Sequence, residues 1–140
     1  MRKIIEAVVV WLSAIMLAGC SKNEVVTPAA QTGKWQLLSD DTYQGIGPTN
    51  HLVHYNGQAA DYFDFRTDGK LYIKENGLPD TLSYVQMVDT AVIISSFGPL
   101  VNGVPAPSRI TTLTLHHATI ASPVLYTPGG MIGRTVTLNR

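Results

Sequence analysis

The stretch Tyr62-Phe63-Asp64-Phe65-Arg66-Thr67-Asp68-Gly69-Lys70-Leu71-Tyr72-Ile73 constrains the fold more than any other part of the chain. Two alternating runs flank Asp68-Gly69, a pair that readily takes the positive φ angles of a tight turn. The segment therefore reads as a β-hairpin with Phe63, Phe65, Leu71 and Ile73 on its inward face. The same period of two recurs elsewhere. In Gly33 to Ser39, Trp35 and Leu37 share one face while Lys34 and Gln36 share the other. His51 to Tyr55 reads as a strand ended by Asn56-Gly57, and Thr81 to Met87 and Ala91 to Ser95 as two more. Arg109 to Leu115 and Ala118 to Ser122 form another hairpin, split by His116-His117, and Val136 and Leu138 alternate with threonines in the closing strand.

Between these strands, Asp40 to Asn50, Phe97 to Ser108 and Pro123 to Gly133 read as loops, rich in glycine and proline. No stretch after Cys20 has a helical period. Eight or nine short strands at regular spacing indicate an all-β barrel or sandwich, and closure into a barrel removes exposed strand edges.

The N-terminal end has a different character. Arg2 and Lys3 precede an apolar run from Ala7 to Ala18 broken only by Ser13, which is the layout of a signal peptide. The run is shorter than the roughly 20 residues a membrane-spanning helix requires. Leu17-Ala18-Gly19-Cys20 resembles the lipobox of bacterial lipoproteins. That resemblance implies cleavage before Cys20, diacylation of its sulfur and usually acylation of its amine, and two or more acyl chains anchor a protein stably. The expected organisation is a signal peptide over 1–19, a lipidated cysteine and tether over 20–32, and one domain over 33–140. Ser21-Lys22-Asn23-Glu24 is loosely similar to the short charged signals of surface-exposed lipoproteins of the Bacteroidetes group, and reads equally as a generic polar linker. The expected location is the cell envelope, at the outer membrane, with its periplasmic and surface faces both open.

Cys20 is the single cysteine. Once acylated it leaves no thiol for a disulfide, catalysis or metal binding, so the domain holds by core packing alone. Removing the first 19 residues takes Arg2, Lys3 and Glu6 from ten basic and ten acidic side chains, which leaves eight against nine, a formal net charge of −1. That balance gives no electrostatic footprint for nucleic acid.

Gly33-Lys34-Trp35, the Tyr62 to Ile73 hairpin, and Ile110 with Leu113 and Leu115 before a final strand are similar to the lipocalin-like domains of Bacteroidetes lipoproteins. The resemblance covers most of Gly33 to Arg140. It implies a small antiparallel up-and-down β-barrel of about eight strands, with Trp35 near a closed end and loops forming a mouth. The loops Asp40 to Asn50 and Phe97 to Ser108 depart from the family's usual pattern.

Chemistry-bearing motifs are sparse. His51 and His54 lie three apart, which on a strand turns their rings to opposite sides, and His116 and His117 have no Asp, Glu or Cys cluster at ligand spacing. Asp61, Asp64 and Asp68 have structural explanations and lack the spacing of a calcium loop. No nucleophile elbow or phosphate loop occurs. No catalytic residue, metal or cofactor is expected. Two readings remain. In one, Trp35, Phe63, Phe65, Leu71, Ile73, Val136 and Leu138 line a cavity for a small apolar ligand, making the chain a non-catalytic binding module. In the other they fill the barrel, and the loops contact a protein or glycan, with Leu100, Val101, Val104 and Pro105 as contact residues.

Overall fold

The computed structural model describes residues 31–140 except Asp89. The signal peptide, Cys20 and the tether up to residue 30 lie outside the described residues. The strands are β1 Gly33–Gln44, β2 His51–Asn56, β3 Tyr62–Phe65, β4 Lys70–Glu75, β5 Leu78–Val88, β6 Ala91–Ile94, β7 Leu100–Val101, β8 Val104–Pro105, β9 Ser108–Leu113, β10 His117–Ala121, β11 Leu125–Thr127, β12 Gly130–Ile132 and β13 Arg134–Asn139. β1, β3, β4, β5, β6, β9, β10 and β13 neighbour one another in that order and β13 pairs back to β1, which closes an eight-stranded antiparallel barrel of up-and-down connectivity. β7–β8 and β11–β12 are separate two-stranded ribbons.

β2 and β3 together act as one interrupted strand. The first half of β1 pairs with β3, from Gly33 opposite Phe65 to Gln36 opposite Tyr62, and the second half pairs with β2, from Ser39 opposite Asn56 to Gln44 opposite His51. The break coincides with a bulge in β1 between Leu37 and Ser39. Asp61 stitches the two irregularities together: its carbonyl accepts the Leu37 N–H at 3.1 Å, and its carboxylate accepts the Tyr55 hydroxyl at 2.5 Å and the Gln58 N–H at 2.9 Å.

The bulge shifts the phase of alternation. Before it Trp35 and Leu37 point inward; after it Asp40 and Thr42 do, where unbroken alternation would turn Ser39 and Asp41 in. Here the structure corrects the loop expected over Asp40 to Asn50. β1 continues to Gln44 and only Gly45 to Asn50 connects the strands.

One end of the barrel carries the start of β1, the end of β13 and the short β3–β4, β5–β6 and β9–β10 connections. Trp35 closes it. Its indole N–H donates to the Gln31 carbonyl at 2.8 Å, and the Arg140 guanidinium lies 4.0 Å from its ring while bonding the carbonyls of Leu115 and Thr32. Above Trp35 the interior is solid: Leu37, Phe63, Phe65, Leu71, Ile94, Ile120, Val136 and Leu138 are each at most 1% exposed. Phe65 meets Tyr84 edge to face at 5.2 Å, a geometry that adds about 0.5–1.5 kcal/mol beyond area burial.

The opposite end is the mouth, where the longer connections gather. Two of the expected loops contain ribbons instead. Phe97 to Ser108 holds β7 and β8 around Asn102-Gly103, whose φ angles of 53° and 78° are both positive, as a two-residue type I′ hairpin turn requires. Asn76-Gly77, at 51° and 77°, makes the same turn between β4 and β5 and lets β5 begin at Leu78, earlier than expected. Pro123 to Gly133 holds β11 and β12, and Asn50 pins that ribbon to the β1–β2 loop by accepting the Met131 N–H at 2.8 Å and donating to the Met131 carbonyl at 3.0 Å. At Asp68-Gly69 the hairpin forms as expected, but only Gly69 takes positive φ, and Asp68 contributes through Oδ1, which accepts the Lys70 N–H at 3.0 Å.

The β2–β3 break leaves no room at Gly57, where an added Cβ would lie 2.0 Å from the Leu37 carbonyl oxygen. Gly57→Ala is expected to lower stability by about 1–3 kcal/mol through overpacking. Urea denaturation monitored by Trp35 fluorescence measures it; an unchanged midpoint would mean the bulge is not tightly held.

Candidate functional site

The residues expected to line a cavity are core. Trp35, Phe63, Phe65, Leu71, Val136 and Leu138 are buried to 1% or less and Ile73 to 4%, and they pack into one apolar cluster with Val92, Ile94, Phe97 and Ile110. Of the seven, Ile73 borders a hollow at the mouth.

There the inward register brings charged side chains onto the barrel axis. Arg134 is in phase with Val136 and Leu138 on β13, and Glu75 with Leu71 and Ile73 on β4; the bulge delivers Asp40 from β1. The Arg134 guanidinium sits over the core, 5.1 Å from the Phe97 ring and 5.8 Å from the Phe63 ring. It donates through both Nε, at 2.7 Å, and a terminal nitrogen to Asp40 Oδ2, and through the same terminal nitrogen to Glu75 Oε2 at 2.7 Å. Asp40 is 3% exposed. A carboxylate so placed tolerates burial only while its counter-charge stays, and removing one partner of a buried pair typically costs about 3–5 kcal/mol.

Above this triad two adjoining hollows of about 230 and 360 Å³ share Gln44, Val53, Tyr55, Glu75 and Arg134 as lining. The larger adds Ile73, Leu78, Pro79 and Asp80. It combines apolar walls with a few convergent polar groups, and its volume falls in the range of about 300–1,000 Å³ usual for small-molecule sites. Burial pushes the Glu75 carboxyl above its ordinary range, the Asp40 carboxylate adds to the rise, and Arg134 only partly offsets them. The Tyr55 hydroxyl is held protonated, with its pKa raised, chiefly by the bond it donates to Asp61.

The other titratable residues of interest are apart from the mouth cup. Asp61 braces the β2–β3 break and Asp64 pairs with Arg66 at 2.6 Å on the outer wall. His54 Nδ1 lies 2.6 Å from Asp41 Oδ1, whereas His51 and His116 contact the carbonyls of Thr49 and Arg140. Among the described residues no three His, Cys, Asp or Glu side chains are grouped as a metal site.

Sequence reasoning missed Asp40, Glu75 and Arg134. Two had a readable signal: extending Leu71-Ile73 and Leu138-Val136 by one further step of two reaches Glu75 and Arg134. Asp40 had none, because it depends on the bulge. No protein-family model, no curated protein and no solved structure matches this chain.

Because the folded-state pKa of Glu75 is raised, folding is favoured by its protonated form. Its contribution to stability is complete below the ordinary glutamate value of 4.5 and is lost as pH rises through the folded value. Glu75→Gln, which keeps an acceptor for Arg134, is therefore expected to gain in Tm relative to the parent from about pH 4 towards neutrality. A Tm difference that stays flat over that range would contradict this reading.

Proposed function

We propose that the chain is a lipid-anchored, lipocalin-like, non-catalytic binding module of the cell envelope that holds a small amphipathic molecule at the mouth of a filled barrel. The observation that carries this is the 360 Å³ cup, with Val53, Ile73, Leu78 and Pro79 as apolar walls and Tyr55, Glu75, Asp80 and Arg134 as polar groups. Of the seven residues first expected to hold a ligand, Ile73 reaches the wall of the cup and the other six are packed in the core beneath it. Glu75 and Asp80 offer oxygen atoms that accept from an amine or hydroxyl group at the polar end of the ligand, and its apolar part lies against Ile73 and Leu78.

β1 begins at the closed end, so the chain enters the barrel at the end opposite the mouth. A second reading, a protein contact through the rim, has one observation of its own: Leu100, Val101 and Val104 of the β7–β8 ribbon are each at least half exposed.

The test is native mass spectrometry of the detergent-released lipoprotein after exposure to an envelope lipid extract. A diacyl or triacyl mass on Cys20 and a further discrete adduct are expected. Val53→Trp, which fills the cup, should reduce the adduct about tenfold, the equivalent of ~1.4 kcal/mol. An adduct untouched by Val53→Trp, or none from any extract, would leave the rim as the functional surface.

A further inference from the structure

The outer wall of the β3–β4 hairpin carries a separate hollow of about 490 Å³, lined by Tyr62, Asp64 and Tyr72 and by Arg66, Thr67 and Asp68 of the turn. It is separated from the lumen by the sheet itself, because these strand residues alternate with inward Phe63, Phe65, Leu71 and Ile73. Asp64 stands directly opposite Tyr72, and Tyr62 is one pleat along on the same face. Tyr72 is 40% exposed. Tyr62 is half-buried and carries the Lys34 ammonium 4.0 Å from its ring centre.

We propose that this hollow is a binding site for a neutral saccharide of one or two pyranose rings. Three features point to it. The first is a pair of tyrosines beside a carboxylate. The negative face of an aromatic ring attracts the polarised C–H groups on the apolar face of a sugar, while an ionised carboxylate accepts bonds from neighbouring hydroxyls.

The second is the placement of Asp64. Its strand position faces solvent, yet it is 6% exposed and its carboxylate is fixed by Arg66 at 2.6 Å from Oδ2. One ion pair does not exhaust a carboxylate's lone pairs, so Asp64 is a held acceptor at the floor of the hollow with the guanidinium beside it as a donor.

The third is charge. Asp64 and Asp68 against Arg66 in the lining disfavour an anion, while Lys34, Lys70 and Lys74 on the surrounding outer face disfavour a cation. A ligand rich in hydroxyls and lacking charge satisfies all three conditions.

This site is independent of the mouth, and the test keeps them apart. The full lipoprotein, in a detergent without sugar head groups, is titrated calorimetrically with neutral trisaccharides built on glucose, mannose, galactose and N-acetylglucosamine. At least one should bind, with affinity falling about tenfold in Tyr72→Ala, the equivalent of ~1.4 kcal/mol. Asp64→Asn should weaken binding as well, whereas Glu75→Gln at the mouth should leave it unchanged. Tyr72 is exposed, so its variant tests the site with little effect on folding, which a thermal melt checks. The proposal is overturned if no trisaccharide binds, if Tyr72→Ala binds as well as the parent, or if a uronic-acid trisaccharide binds more tightly than every neutral one.

Discussion

The arrangement depends on one partly buried cation. Arg134 lies where the apolar core ends and the mouth begins, with Phe63 and Phe97 beneath its guanidinium and Asp40 and Glu75 beside it. Those contacts tie β13 to β1 and β4 across the barrel, so the group that caps the core also fixes the three strands around the opening. Aromatic faces below and carboxylates beside it both favour the positive charge. The same charge compensates the burial of Asp40, which is 3% exposed. Without a cation at this level, two carboxylates would face each other above an apolar floor.

What brings the partners together is a local fault in the sheet. A perfect β1 would continue the phase of Trp35 and Leu37 and turn Asp40 outward; the bulge after Leu37 reverses it. The cost of that irregularity falls on the neighbouring chain, which breaks between β2 and β3 and needs Gly57 and Asp61 at close quarters to fit. The closed end shows the contrast. There β1 is regular, and Trp35 lies between Arg140 and the apolar cluster of the core.

The barrel was legible in the sequence because its strands are half-buried and alternate cleanly. Phe63, Phe65, Leu71, Ile73, Val136 and Leu138 all point inward as their period requires. Two ribbons and the early start of β5 were not recognised, although Asn76-Gly77 and Asn102-Gly103 carry the turn chemistry that makes them. The rim was read by its prolines and glycines alone. The site was less legible for a deeper reason. Apolar residues on an inward face look the same in sequence whether they border a void or fill it, and only packing in three dimensions separates the two. The groups that define the mouth are polar, and Asp40 reaches it through a shift in register that no periodicity announces.

A filled barrel with an open, polar-rimmed mouth makes a claim about where a ligand can be felt. Methyl-resolved NMR of the chain, titrated with an amphiphile recovered from the envelope extract, measures it directly. Shifts confined to Val53, Ile73 and Leu78, with Leu71, Ile120 and Leu138 unmoved, are the expected result. Larger shifts at Leu71 and Leu138 than at Val53 would contradict it, because they would mean that the packed interior opens to admit the ligand.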